Sequence, residues 1–249
     1  MISVCLATHN GEKYLRQQMD SILSQLAQDD ELIVSDDGSV DGTLKLLEDY
    51  CNKDKRVRVV TLKQTPQTGS LKSFKYASRN FENAMKEAKG DYIFLSDQDD
   101  EWHPEKVKTM LSSLQENVLV RTNSLLVTVD GEPIRLSYEE GETPLRKGLA
   151  GNIKAMRFSG SHMAFRKEVL DAALPFPKGL VSHDNWIGCL ALLMGKCVYE
   201  PKPLLYYRMH GNNVSKYHKN SLFVKISYRL TFLRQLTSRI LKIKLRNEK

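Results

Sequence analysis

Hydrophobic and polar positions follow two rhythms along the first hundred residues. Unbroken apolar runs at Ile2 to Ala7, Glu31 to Ser35 and Tyr92 to Ser96 predict buried strands, each ending in a polar cluster. Arg56 to Val60 is a fourth strand candidate. The clusters read Thr8-His9-Asn10-Gly11, Asp36-Asp37-Gly38-Ser39 and Asp97-Gln98-Asp99-Asp100. Between the strands, apolar residues recur three and four apart, the helical spacing. Leu15, Met19, Ile22, Leu23 and Leu26 make one stripe after the Asn10-Gly11 turn. Asp41 to Tyr50 holds a second, with Asp41 as its N-cap candidate. Phe74, Ala77, Phe81, Ala84, Met85 and Ala88 make a third, closed by Gly90. Strands alternating with helices predict an α/β fold with a mostly parallel sheet, and ligands of such sheets bind beyond the strands' carboxyl ends. All three polar clusters are expected at that edge.

The second half is less regular. Leu119 to Val129 predicts one or two strands with a turn at Asp130-Gly131, and Ser137 to Gly148 predicts a mobile polar loop. Glu168 to Ala173 and Asn185 to Met194 predict short helices, separated by Pro175-Phe176-Pro177. Pro201 and Pro203 frame the approach to Leu204-Leu205-Tyr206-Tyr207.

Charge changes the picture at the end of the chain. The 249 residues carry a net charge of +7, but ten basic residues lie between Lys216 and Lys249 against the single acid Glu248. The body before them is slightly acidic, which argues against a nucleic-acid partner. Within that tail Leu222, Ile226, Leu230, Leu233 and Ile240 mark a helical stripe, blurred at its border by Phe232 and Leu236. Two roles fit: packing on the catalytic body, expected up to about Leu233, and contact with an anionic membrane surface beyond it. No apolar run is long enough to span a bilayer, and MISVCLATHN lacks the basic stretch of a secretory leader. Four scattered cysteines without a CxxC pair fit a reduced, cytoplasmic protein and argue against a zinc site. The expected location is the cytoplasm, peripheral at the inner face of the membrane if the tail binds lipid.

Three carboxylates in four positions at Asp97, Asp99 and Asp100 repel one another unless a cation or donor is present. A hard divalent ion, Mg²⁺ or Mn²⁺, relieves that repulsion and bridges carboxylates to substrate phosphates; the rival reading is an acidic turn ahead of a helix near Pro104. A carboxylate of the Asp36-Asp37 pair can accept from a nucleobase N–H or a ribose hydroxyl. Thr8 and Asn10 add uncharged groups at the same rim.

These residues resemble family 2 glycosyltransferases of the GT-A fold. ATHNGEKYL at Ala7 to Leu15, VSDDGSVDGT at Val34 to Thr43 and GDYIFLSDQDD at Gly90 to Asp100 carry the likeness. SGSHMAFRKEVL at Ser159 to Leu170, HDNW at His183 to Trp186 and LLYYRMHGNNVS at Leu204 to Ser215 extend it, in the family's order, toward bacterial enzymes that build capsules, O-antigens and rhamnose-rich polysaccharides. The resemblance implies a GT-A domain over residues 1–215, divided into a nucleotide-sugar half (1–100) and an acceptor half (101–215), with a basic helical tail over 216–249. Thr8, Asn10 and Glu12 would line the nucleotide pocket, and Asp37, with Asp36 beside it, would hold the base. Asp97 and Asp99 match the DxD pair that meets ribose and the diphosphate-bound metal, with Asp100 as a third candidate. His210 falls where some relatives bring a histidine toward metal or diphosphate. Asp184 matches the base of these inverting enzymes.

On the acceptor side His162, His183 and Trp186 are candidates, the last as a platform for a sugar ring. Arg208 has two possible partners, the diphosphate or Glu200 across a hairpin, and Asn212, Asn213 and Ser215 suit a turn. Two departures stand out: His9 replaces the family's common Tyr or Phe, and Arg79-Asn80 lies inside a helical pattern rather than a glycine-rich approach. The implied donor is a UDP- or dTDP-linked sugar, and the implied acceptor a glycan or a polyprenyl-diphosphate-linked glycan. Two rivals are a sugar-nucleotide pyrophosphorylase, which wants a glycine- and basic-rich loop after the first strand, and a nucleotide-binding scaffold without catalysis.

Overall fold

The computed structural model describes residues 1–211 and 221–247. The expected turn residues Asn212, Asn213 and Ser215 lie outside that range, as do Lys216, Lys219, Glu248 and Lys249.

The unbroken apolar runs form the centre of the sheet. Strands β1 (Ile2–Thr8), β2 (Glu31–Asp36), β3 (Val57–Thr61) and β4 (Tyr92–Asp97) pair in parallel in the order β3-β2-β1-β4. Both faces of this parallel half are covered, which is why its strands are apolar rather than alternating. Val4 and Leu6 pack on one side with Leu15, Met19 and Ile22 of α1 (Leu15–Leu23) and Leu46 and Leu47 of α2 (Thr43–Lys53). Cys5 packs on the other with Phe81, Ala84 and Met85 of α3 (Lys72–Lys86). The register aligns Thr8 with Asp36 and Ala7 with Asp97, so the three polar clusters do meet at one edge. Helix α2 begins one residue later than expected, behind Gly42, and Asp41 Oδ1 accepts the Thr43 N–H at 3.0 Å.

Beyond β4 the sheet turns mixed. β8 (Met163–Arg166) runs antiparallel to β4 and to β6 (Leu119–Val127), and β9 (Cys197–Arg208) lies parallel to β6. The short β5 (Glu101–Trp102) closes the far edge against β9, while β7 (Pro133–Leu136) returns along β6 after the Asp130-Gly131 turn. Pro201 and Pro203 do not end β9. The pairing jumps from Thr122–Glu200 to Asn123–Pro203, so Pro201 and Lys202 stand out of register in a bulge. Glu200 and Arg208 therefore share one strand, and the expected hairpin between them does not form. Helices α4 (Lys106–Ser113), α5 (Gly148–Ala155), α6 (Lys167–Ala173) and α7 (His183–Met194) complete the body; α5 follows the predicted loop without any periodic signal.

Helix α8 (Leu222–Asn247) lies on this body; of its expected stripe Ile240 faces the body, three residues do not, and the Leu222 side chain lies outside those described. Phe232 and Leu236 are buried, and Tyr228, Ile240 and Ile243 pack beside them, whereas Ile226, Leu230 and Leu233 are exposed. Packing continues to Ile243, well past Leu233. Arg239 donates to the carbonyls of Ala172 and Leu174 at 2.7 and 2.9 Å, tying α8 to the end of α6. The four cysteines are free. Among the described residues no helix is long and apolar enough to cross a membrane.

Candidate active site

The three strand ends surround a cleft of about 900 Å³ whose lining includes Thr8, Asn10, Asp37, Asp97, Asp99 and His210. Gln98 organises the middle of its wall. Its Oε1 accepts from Thr8 Oγ1 at 2.6 Å and from the His9 N–H at 2.7 Å, while its Nε2 donates to the His9 carbonyl at 3.2 Å. A Cβ at Gly11 would lie 2.6 Å from that same Oε1, so a larger residue there would have to displace Gln98 from this network. Asn10 takes a left-handed φ of 50° and its Oδ1 accepts from the Val40 N–H at 2.9 Å, linking the first and second clusters.

At one end of the cleft stands Asp37. Its Oδ2 accepts from Gln64 Nε2 at 2.8 Å, while its buried Oδ1 has no partner among the described residues. Burial raises its pKa, the Gln64 hydrogen bond offsetting part of the rise. An unpaired buried carboxylate oxygen invites an N–H donor. Asn80 lines the same end: its Nδ2 donates to the Thr8 carbonyl at 3.0 Å and its Oδ1 is likewise unpaired. The helical setting of Asn80 thus does not keep it from the cleft.

The other end is acidic. Asp99 Oδ2 lies 2.6 Å from His210 Nε2, and the His210 ring stacks on Tyr14 with centroids 5.4 Å apart. Burial pushes the Asp97 carboxyl up to about 7, and the charges of Asp99 and Asp184 add to the rise, against a hydrogen bond from Ser161 and the charge of Lys106. Asp100 is likewise raised well above the usual carboxylate range, first by burial and then by Asp99 and Asp97. Beneath them Lys106 is fully buried: its Nζ donates to the Ser161 carbonyl at 2.7 Å and lies 4.4 Å from the Trp102 ring centre. Burial brings Lys106 down to about 7 against the pull of Asp100 and Asp97. One buried ammonium faces several carboxylates, an arrangement short of positive charge.

That imbalance suits a divalent cation. Asp99 and His210 offer a carboxylate and an imidazole at cleft level, with Asp97 beside them. Among the described residues no cluster of three metal-ligating side chains forms, so the protein supplies an open pair rather than a cage. A metal whose remaining positions are filled by phosphate oxygens and water needs no more.

Several expected site residues do other work. Asp36 is buried and accepts the Ser39 N–H at 2.9 Å, shaping the turn that carries Asp37. Glu12 turns away from the cleft, its Oε2 accepting the Gly42 N–H at 2.9 Å ahead of α2. Asp100 is closed off behind the cleft, its Oδ1 accepting the Arg208 N–H at 3.3 Å and its Oδ2 unpaired. Arg208, 2% exposed, bonds the Asp99 carbonyl, the Val129 carbonyl and Gln17, and braces β9 against the acidic turn.

Asp184 occupies the first turn of α7, where the helix dipole favours a carboxylate. Ser182, not Asp184, caps that helix, and Asp184 Oδ1 accepts the Asn185 N–H at 2.8 Å and the Ser182 hydroxyl. Its charge contributes to the rise at Asp97, although Asp184 is not itself among the residues that line the cleft. Trp186, one residue beyond Asn185, has no face for a sugar: it is fully buried, donates Nε1–H to the Ala173 carbonyl at 3.0 Å and meets Phe232 edge-on. His183 stacks on Phe81 at 4.3 Å and His162 bonds Ser124 Oγ at 2.9 Å; both are buried and held toward the neutral form by that burial. These three belong to the core, not to a surface that an acceptor could reach. Sequence reasoning assigned no role to Gln98, though it sits between the acids, or to Lys106, which reads as an ordinary helix-start lysine.

The scaffold is of the GT-A fold, with the cleft at the carboxyl edge of its parallel strands. The fold is that of Staphylococcus aureus TarS 1-349 solved with UDP-GlcNAc (TM-score 0.68, 20% identity, over 96% of this chain and 66% of that one). Residues 3–174 match the family described as glycosyl transferase family 2, and the chain belongs to that family. It is 30% identical to the putative teichuronic acid biosynthesis glycosyltransferase TuaG of Bacillus subtilis, over 86% of this chain and 81% of TuaG. It is 32% identical to the dTDP-rhamnosyl transferase RfbG of Shigella flexneri, over 84% of this chain and 72% of RfbG.

Proposed function

We propose that this chain transfers a sugar from a nucleoside-diphosphate sugar to a hydroxyl of a glycan or lipid-linked glycan, in the synthesis of a bacterial surface polysaccharide. One observation carries the reading. A single cleft has an unpaired carboxylate oxygen of Asp37 at one end, suited to a base or ribose, and the Asp97, Asp99 and His210 group at the other, suited to a diphosphate. The name of TuaG points to that class of product, and those of RfbG and the TarS structure to dTDP- and UDP-linked donors. Residues 1–100 hold the nucleotide and residues 101–215 present the acceptor.

Asp99 and His210 would hold a Mn²⁺ or Mg²⁺ ion, with the Asp97 carboxyl beside the pair, and the ion would offset the charge gathering on the leaving diphosphate. The chain's own residues do the rest. Asp37 and Asn80 orient the nucleotide, and Gln98 fixes the wall between the two ends. Asp184 takes the proton of the acceptor hydroxyl as its oxygen bonds the anomeric carbon. The carbon–diphosphate bond breaks on the opposite face, its electron pair leaving with the nucleoside diphosphate, and the anomeric centre inverts. Lys106 and Arg208 keep the acidic turn in place.

The test is nucleoside diphosphate release from a panel of UDP-, dTDP- and GDP-sugars with Mn²⁺. Release from at least one donor, faster with a glycan acceptor, is expected. No release from any donor, with or without acceptor, overturns the assignment.

A further inference from the structure

Helix α8 is apolar on two faces, and the fold uses one. Phe232, Leu236, Ile240 and Ile243 settle on α7 and the core, with Phe232 against Trp186. On the opposite side Phe223, Ile226, Leu230, Leu233, Leu241 and Leu245 follow at spacings of three, four, three, eight and four, Thr237 falling midway through the long step. That rhythm places them along one arc, and they are exposed: Phe223 by 80%, Leu230 by 63% and Leu245 by 62%. An outward apolar strip in two parts, Phe223 to Leu233 and Leu241 to Leu245, marks a contact surface.

Charge decides the occupant. Leu222–Asn247 contains seven basic residues and no acid. Docking the same strip of a second copy would bring two such helices together without one countercharge. Beside the strip, Arg234, Arg239 and Lys242 line a groove of about 440 Å³ between α8 and the Pro175–Pro177 segment. Apolar strip and flanking cations match the two layers of an anionic bilayer surface, acyl boundary and phosphate.

We infer that the outward face of α8 lies on an anionic lipid surface, with Phe223, Ile226, Leu230, Leu233, Leu241 and Leu245 at the acyl boundary and Arg234 and Lys242 at the headgroups. The contact runs from Phe223 to Leu245, opposite the inner face that Tyr228 to Ile243 hold on the body. The first turns of α8 also adjoin the 179–181 segment just before Ser182 and Asp184, since Phe223 and Tyr228 border a pocket with Gly179 and Val181. Binding would thus bring the segment that leads into Asp184 near the membrane.

The test is sedimentation of the full chain with phosphatidylglycerol-containing and pure phosphatidylcholine vesicles. Binding to the anionic vesicles, weakened by salt, is expected. A combined F223S/I226S/L230S variant should bind about tenfold or more weakly while keeping the wild-type melting temperature and donor hydrolysis. L241S/L245S provides a second variant at the other end, and R234E/K242E isolates the electrostatic part. Equal sedimentation of wild type and the serine variants overturns the proposal, as does equal binding to neutral and anionic vesicles. A concentration-dependent dimer lost in the serine variants, without vesicle binding, assigns the face to a second copy and also overturns it. Donor hydrolysis, read without vesicles, separates failure here from failure of the transfer chemistry.

Discussion

His210 Nε2 stands 2.6 Å from Asp99 Oδ2, joining the end of β9 to the turn after β4 across 111 residues of chain. In that position imidazole and carboxylate hold each other at the height of the diphosphate end. Removing either should weaken metal use rather than folding, since both side chains face the cleft. For Asp99→Asn and His210→Ala, the Mn²⁺ concentration at half-maximal rate should rise by about 10- to 100-fold or more. A Mn²⁺ titration of nucleoside diphosphate release reads this directly. An unchanged half-saturation point in both variants would falsify the pair's assignment.

Asp97 gives the site a pH signature. Burial first, then Asp99, raise its carboxyl from 3.8 to about 7. A raised carboxyl favours the protonated folded state, so this group removes stability as pH climbs from 3.8 to about 7. Lys106 acts with the opposite sign, removing stability as pH falls from 10.5 to about 7. A cation drawn to the cluster must displace the Asp97 proton below about pH 7 and need not above it. The thermal shift produced by Mn²⁺ with nucleoside diphosphate should therefore be larger at about pH 8 than at about pH 6. Asp97→Asn should flatten that difference.

Much of this site was legible because it obeys local rules. Thr8, Asp37, Asp97 and Asp99 each end an apolar strand, and a parallel sheet gathers such ends at one edge. Side-chain direction was not legible. Asp36 and Asp37 are neighbours on a strand end, so one must point inward; the register sends Asp36 to the turn and Asp37 to the cleft. Glu12 reads as a pocket residue only until the β1–α1 loop lies against α2 and Gly42 claims its carboxylate. Trp186 shows the same limit. Its place beside Asp184 suggested a sugar platform, and only the packing of Phe232, forty-six positions later, covers the ring. For α8 the periodicity held two overlapping stripes. Which one faced the body depended on the surface that α6 and α7 offered, which no helix spacing contains.

Asp184 makes a sharper demand. Its Oδ1 is engaged by the Asn185 N–H and the Ser182 hydroxyl, leaving the carboxylate fixed at the helix end. Asp184→Asn keeps the shape and these acceptors while removing the base. Turnover should fall about 10²- to 10⁴-fold with donor affinity unchanged. Calorimetric titration with the nucleoside diphosphate checks the second half. A loss that appears only in donor binding would make Asp184 part of the nucleotide site instead.

Trp186 should behave as a core residue. Trp186→Ala empties a fully buried site under Phe232 and Arg239, whose guanidinium lies 5.4 Å from the ring centre. A loss of about 3–5 kcal/mol is expected from such a truncation. Trp186→Phe retains most of the packing and forfeits the bond to the Ala173 carbonyl, at about 1 kcal/mol. Acceptor KM should not move in Trp186→Phe. A large rise in KM with unchanged melting would instead put the ring in contact with sugar.

Lys106 is the residue on which the acidic turn depends most. It is buried, its ammonium bonds the Ser161 carbonyl, and its charge lowers both Asp97 and Asp100. Lys106→Met keeps the stem packed on Trp102 and removes only the charge and its hydrogen bond. Asp97 and Asp100 then lose the buried Lys106 charge that lowers both, so both carboxyls must rise further. The expected result is an upward move of about one unit or more in the acid limb of the pH–rate profile, because Asp97 stays protonated to higher pH. Lys106→Arg, which retains the charge in a larger group, should restore the limb toward its wild-type position even where packing strain lowers the melting temperature. A structural role alone would lower melting in both variants and leave the limb where it was.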